Sequence, residues 1–278
     1  MSKGKSTLIA IGGGEITGSR DVLDLICDGL KKKKDAHLAV LTVATSDPEG
    51  AAKKYIEIFK KEGVKRVDAI DVSKREDAFS KASLEVLAKA DALFFTGGDQ
   101  LNITSLLGGS PLDNLIKERL RDGIVIAGTS AGAAMMSSSM IVSGSSDASP
   151  RVSAVKIAPG MELIDGVIID SHFSQRGRHG RLLTAIAHYP QVVGVGIDER
   201  TAIVQKNGSF KVLGEGVVTV MDASQMRHSD LPYRRDNENI GMFGVEVHVL
   251  PAGYSYDLAE RRPVAPELKK MAGVEDEV

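Results

Sequence analysis

A chain of 278 residues with 42% hydrophobic residues and 29 glycines is long enough to bury a large core, and it fits no disordered or fibrous class. A formal net charge of −2 and the absence of a long basic stripe argue against nucleic-acid binding as the main activity, so no nucleic-acid partner is expected. No stretch is apolar for long enough to cross a membrane, and the apolar residues 8–11 run straight into Gly12-Gly13-Gly14, too soon for a signal peptide; a cytoplasmic protein with no membrane partner is expected.

Residues 7–11, 37–43, 66–70, 92–96 and 124–127 are apolar runs of strand length. Amphipathic segments at about 19–31, 48–62, 75–90 and 100–121 separate them. Continuous apolar strands alternating with helices are the pattern of a parallel sheet covered on both faces, which predicts an α/β fold. Cys27, the only cysteine, lies in the first helical segment and reads as core, in a chain suited to a reducing compartment. The run Lys31 to Lys34 reads as the solvated end of that helix, where cations suit the dipole.

After about residue 150 the pattern changes. Residues 166–170, 192–197, 201–205, 210–213, 217–221 and 244–250 predict mainly antiparallel strands, interrupted by one helix at about 178–188. Residues 222–242 are polar and read as a loop, and the tail after Pro251 ends in the acidic Glu275-Asp276-Glu277. With no repeat and no linker, one continuous domain over residues 1–278 is expected. It has a parallel half to about 150, a section with antiparallel strands at about 151–250, and a tail at 251–278.

Ligands of parallel α/β sheets bind at the carboxyl ends of the strands. Three loops stand at such ends. Gly12-Gly13-Gly14-Glu15 reads as a tight turn, because Gly12, Gly14 and Gly18 are spaced one residue too wide for a dinucleotide fingerprint, so no such cofactor is expected. Gly97-Gly98-Asp99-Gln100 is the second. The third, Gly128-Thr129-Ser130-Ala131-Gly132, follows an apolar strand and precedes a small-residue helix, as in a nucleophile elbow. There Ser130 is the candidate nucleophile, the flanking glycines let strand and helix pass closely, and the Ala131 N–H can stabilise an oxyanion.

A serine needs a base, and the base needs an orienting group. Of the six histidines only His172 has a suggestive setting, in Asp170-Ser171-His172-Phe173 at a strand end and just before Arg176, Arg178 and Arg181. Alone, such a histidine is more often structural than catalytic; beside an arginine cluster and a candidate elbow the balance reverses. No histidine or acidic spacing suggests a metal site. The three guanidinium forks suit a substrate with free carboxylates. Cations at a helix start oppose its dipole, so an anionic group is expected to compensate them. The orienting acid is Asp198 or Glu199, both in the connection Gly196-Ile197-Asp198-Glu199-Arg200-Thr201, and the residues alone leave that choice open.

Four blocks in this order and spacing resemble the cyanophycinases: Phe95-Thr96-Gly97-Gly98-Asp99-Gln100, the Ser130 block, Asp170 to Leu182, and Gly196 to Ala202. The resemblance implies a flavodoxin-like, class I glutamine amidotransferase-like fold, with a central mostly parallel sheet, helices on both faces and an antiparallel C-terminal extension. It implies a serine exopeptidase, without a cofactor, that degrades cyanophycin, a poly-aspartate with arginine on each β-carboxyl, to β-Asp-Arg dipeptides. By the same resemblance Ser130 is the nucleophile, His172 the base and Glu199 the orienting acid. Gly98 and Ala131 are the oxyanion donors, Gln100, Asp170, Ser171, Arg176, Arg178 and Arg181 line the substrate pocket, and the protein is a homodimer. Asp170 or Asp99 is expected to meet the substrate guanidinium. Ser171 departs from the family pattern, where glutamine is expected. The rival readings are an Asp-Xaa or isoaspartyl dipeptidase on the same scaffold and a non-catalytic binding protein; a glutamine amidotransferase would need a cysteine at the elbow.

Overall fold

The structure is a computed structural model, which describes residues 6–14, 20–31, 33–146 and 149–267. Glu15, Gly18, Lys32 and the acidic Glu275-Asp276-Glu277 of the sequence reading lie outside the described residues.

The first half alternates strands with helical segments. β1 (Thr7–Ile11), α1 (Arg20–Lys31), β2 (His37–Leu41), α2 (Pro48–Lys61) and β3 (Arg66–Ile70) are followed by a 3-10 turn at Arg75–Phe79. Then come α3 (Lys81–Lys89), β4 (Ala92–Phe95), α4 (Gln100–Leu107), α5 (Pro111–Arg121), β5 (Val125–Thr129) and α6 (Ala131–Ala134). The second half contains β6 (Ser139–Gly144), β7 (Val155–Pro159), β8 (Val167–Ser171), α7 (His179–His188), β9 (Val193–Ile197), β10 (Thr201–Lys206), β11 (Ser209–Gly214) and β12 (Val217–Asp222). Short strands close the chain: β13 (His228–Ser229), β14 (Met242–Phe243), β15 (Glu246–Pro251), β16 (Ser255–Asp257) and β17 (Arg262–Val264).

The main sheet has the order β17-β16-β11-β10-β1-β5-β4-β2-β3, parallel from β1 to β3 and antiparallel from β10 outward. Alternate side chains of its parallel strands feed two cores. Ile9, Ile11, Leu38 and Val40 pack with Val22, Ile26 and Cys27 of α1 and Tyr55 and Phe59 of α2. Leu8, Ala10, Ala39 and Leu41 pack on the other face with Leu87 of α3, Ile103 of α4 and Ile116 of α5. The two-sided burial is the reason these strands are apolar without alternation. A second sheet, β15-β12-β9-β8, is covered by Leu182, Ala185 and Ile186 of α7.

Several expectations need adjustment. Residues 100–121 form two helices, because Gly108 ends α4, while Ser110 caps α5 through the Asp113 N–H with Pro111 in the first turn. The helix after Ser130 has only four residues, so its dipole is small. The later strands are not all antiparallel: β8 and β9 pair in parallel, α7 making the crossover. The hairpin β6–β7 falls in residues not read as strands, and the polar stretch 222–242 contains β13. Beyond Pro251 the chain adds β16 and β17 to the main sheet, with Tyr256 fully buried against Phe210. Lys31 does end α1, and Lys33 pairs with Asp91 at 2.6 Å, a contact that helps hold the Asp91 carboxyl below its ordinary range against the effect of burial.

This topology gathers the loops of interest. β5 lies between β1 and β4, so the carboxyl ends of all three are adjacent. β10 runs antiparallel to β1, with Ala202 opposite Ile11, so the start of β10 reaches the same rim. β8 and β9 of the second sheet end there too, since the Ile197 to Thr201 connection passes from one sheet to the other and the His172 N–H donates to the Gly12 carbonyl at 2.8 Å.

Candidate active site

Ser130 occupies the sharp turn between β5 and α6, at φ 54° and ψ −109°. Such a backbone costs a non-glycine residue about 1–3 kcal/mol, and the surroundings hold it there. The Ser130 N–H donates to the Ile11 carbonyl at 3.0 Å, and its own carbonyl accepts from Ala133 and Ala134 at 3.0 Å. The turn needs glycine at 128, where a Cβ would lie 2.2 Å from the Gly132 carbonyl oxygen.

His172 follows β8 directly and also has a left-handed backbone, φ 49°. Its Nε2 lies 2.9 Å from Ser130 Oγ and its Nδ1 lies 2.6 Å from Glu199 Oε1. A carboxylate only accepts, so Nδ1 carries the proton and the Nε2 lone pair faces the serine hydroxyl. The half-buried ring lies against Gly13, whose φ is 102°. A Cβ at that glycine would stand 2.2 Å from His172 Cε1. The first glycine loop is thus a seat for the imidazole, a role the reading as a simple turn missed. Three consecutive glycines at a strand end were the available signal.

The two adjacent acids have different surroundings. Glu199 faces His172 and holds its backbone through its N–H to Gln175 Oε1, 3.0 Å. Asp198 is 5% exposed and ties two other elements together, accepting from the Ser174 N–H at 3.0 Å and the Val217 N–H at 3.3 Å. Neither Gln175 nor the Asp198 brace was anticipated.

Ser130 opens on a cavity of about 330 Å³. Gly98, Asp99, Gln100 and Ala131 form one part of its wall, Ile141 and Val142 of β6 another, and Asp170, Ser171, Arg176, Arg178 and Arg181 the rest. All the residues expected around the pocket therefore come together, and β6 is an unexpected contributor. The backbone N–H groups of Gly98 and Ala131 donate to no acceptor among the described residues. Gln100 anchors the start of α4 to β6, its Nε2 donating to the Ile141 carbonyl at 2.5 Å.

The arginines are not all available to a ligand. Arg181 grips Asp170 bidentately, Nε to Oδ2 at 2.6 Å and Nη2 to Oδ1, and Arg178 adds Nη1 to Oδ1 at 3.2 Å and a bond to the Ser171 carbonyl. Asp170 is 2% exposed and is the anion that the arginine-rich helix start calls for. The expectation that Asp170 meets a substrate guanidinium does not fit this arrangement, since both its oxygens are taken by the protein's own cations. Burial is the main cause that pushes the Arg178 guanidinium down to about 10, with Asp170 opposing; it stays charged at neutral pH. Arg176 is exposed and has no ion pair among the described residues. Among the described residues the pocket lining carries three cations against two carboxylates. Among the described residues no cluster of histidine, cysteine, aspartate or glutamate is arranged to hold a metal ion, and no helix is long and apolar enough to cross a membrane.

The chain resembles known proteins along most of its length. A model of the family described as Peptidase family S51 matches residues 8–213. A cyanophycinase of Nostoc sp. (strain PCC 7120) is 36% identical over 274 residues, covering 96% of this chain and 90% of that protein. A cyanophycinase of Geminocystis herdmanii is 35% identical over 266 residues, covering 94% and 97%. Among solved structures, a peptidase from an acI-B1 Actinobacterium has a TM-score of 0.66 at 21% identity, covering 92% of this chain and 98% of that one. A putative peptidase E protein from Listeria monocytogenes has a TM-score of 0.50 at 17% identity, covering 76% and 99%. The two solved structures share the fold, and the family match together with relatives above 30% identity decides membership: this chain belongs to peptidase family S51 and is a serine-type peptidase.

Proposed function

We propose that the protein is a cyanophycin-degrading exopeptidase that works through an acyl-enzyme. The observation that carries the mechanism is the continuous line Ser130 Oγ, His172 Nε2, His172 Nδ1, Glu199 Oε1, with contacts of 2.9 and 2.6 Å. In this reading Ser130 sits on a nucleophile elbow, and His172 Nε2 removes its proton as Oγ attacks a backbone carbonyl of the polymer. The imidazolium is stabilised by Glu199, and the N–H groups of Gly98 and Ala131, unpaired among the described residues, receive the oxyanion. The proton passes from His172 to the leaving amine. Water, deprotonated by the same nitrogen, then hydrolyses the ester and restores Ser130.

The substrate reading rests on the cyanophycinase relatives and on the pocket. A cavity of about 330 Å³ is at the small end of the ligand-site range of about 300–1,000 Å³, which suits one repeat unit and hence an exopeptidase. Arg176, which has no ion pair among the described residues, suits a carboxylate of that unit. The resemblance also implies a homodimer in the cytoplasm, the former testable by light scattering. Incubation with insoluble cyanophycin and mass analysis of the product tests the reading: released β-Asp-Arg supports it. Cleavage of short Asp-Xaa peptides with the polymer left intact would favour a dipeptidase instead. Ser130→Ala is expected to lower kcat by about 10⁴-fold or more while the circular dichroism spectrum stays unchanged.

A further inference from the structure

We infer that Asp99 is the residue that selects arginine side chains on the substrate, by holding their guanidinium in the pocket. The inference rests on the proposed polymer substrate and adds its orientation. Among the described residues two carboxylates, Asp99 and Asp170, line the cavity. Asp170 is buried and already accepts three hydrogen bonds from Arg178 and Arg181, so a third guanidinium would meet two like charges beside a largely occupied, buried carboxylate. Asp99 is exposed and, among the described residues, has a single side-chain hydrogen bond, Oδ1 accepting from the Leu101 N–H at 2.8 Å. That bond caps α4, while the Asp99 N–H donates to the Ala44 carbonyl at 2.8 Å. The residue is thereby fixed, and Oδ2 keeps its accepting capacity.

The two kinds of charge also come from different elements. Arg176, Arg178 and Arg181 follow β8, whereas Asp99 starts α4 behind β4 and adjoins the candidate oxyanion donor Gly98. A repeat unit carries both a carboxylate and a guanidinium, so the electrostatically favourable pose turns its carboxylate toward the arginines and its guanidinium toward Asp99. The reverse pose would bring four guanidinium groups together.

The test uses Asp99→Asn, which keeps an Oδ1 for the helix cap and removes only the charge. Cleavage is compared on two short synthetic β-linked polymers, one carrying arginine and one carrying citrulline, which has nearly the same shape but no charge. For the wild-type protein the ratio of kcat/KM, arginine over citrulline, is expected to exceed tenfold, and in Asp99→Asn it is expected to fall at least tenfold, chiefly through KM. Because each ratio compares two substrates on one protein, a partial loss of folded protein cancels. An unchanged ratio in the variant, or no wild-type preference for arginine, overturns the assignment of Asp99 and leaves the polymer reading standing. Failure of the wild-type protein to cleave either polymer overturns the polymer reading as well.

Discussion

Replacing Gly13 by alanine isolates the part of the site that depends on a missing side chain. The new Cβ would lie 2.2, 2.6 and 2.8 Å from Cε1, Nε2 and Nδ1 of His172, whereas ordinary contact begins at 3.4 Å, so the ring must withdraw by about 1.2 Å. That movement takes Nε2 out of reach of Ser130 Oγ, now 2.9 Å away. A misplacement of about 1 Å in a reacting pair costs about 10²-fold in rate, so kcat is expected to fall by about that factor with KM little changed. Alanine at φ 102° also strains the backbone, a cost of about 1–3 kcal/mol that lowers Tm by several degrees. Gly166→Ala serves as the control: φ there is 73° with nothing within 4 Å of the added Cβ, so it has the strain without the clash. Kinetics on cyanophycin and thermal melts are measured for both variants. If Gly13→Ala retains kcat within threefold of Gly166→Ala at equal folded fraction, the seat does not position the imidazole and the reasoning fails.

Glu199→Gln is expected to lower kcat by about 10²–10⁴-fold with little change in Tm, since the amide no longer enforces the Nδ1-protonated tautomer. Asp198→Asn is expected to act mainly on Tm, because it weakens the bonds to Ser174 and Val217; a reversed ranking in the two assays would exchange the roles of the two acids. Asp170→Asn leaves two arginines with an uncompensated charge at a site 2% exposed and is expected to cost about 3–5 kcal/mol in urea unfolding, with a change under about 1 kcal/mol counting against the network. Burial pushes the Cys27 thiol up to about 12 from 9.0, so no thiolate forms at pH 8 and maleimide labelling should wait for unfolding. With the proton held more tightly in the folded state, this group makes stability fall as pH rises above about 9; rapid labelling of folded protein at pH 8 would contradict the burial.

The parallel half was legible because burial on both faces leaves an uninterrupted apolar run, as in Leu38 to Leu41, and because short polar or glycine loops punctuate it. The later strands were legible as strands, but their pairing was not. Nothing local in residues 166–170 and 192–197 tells a parallel from an antiparallel partner, since that depends on where α7 carries the chain between them. β6 escaped notice because Ser139, Ser143 and Gly144 dilute its apolar residues, and its stability comes from the hairpin partner β7 and the Gln100 anchor.

The sequence by itself determined the fold class and brought Ser130, His172 and the arginine cluster forward, because a turn between strand and helix and a run of charged residues are local features that residue types record directly. The residue types left Asp198 and Glu199 open, and only the family resemblance pointed to Glu199; the tertiary structure puts Glu199 against His172, and it alone decided that Gly13 carries the imidazole and that Asp170 is neutralised by Arg178 and Arg181. Those outcomes rest on contacts between residues far apart in the chain, where a shift of an ångström separates a hydrogen bond from a clash. Residue types fix which groups are present, and packing of the two sheets at one rim fixes which of them meet.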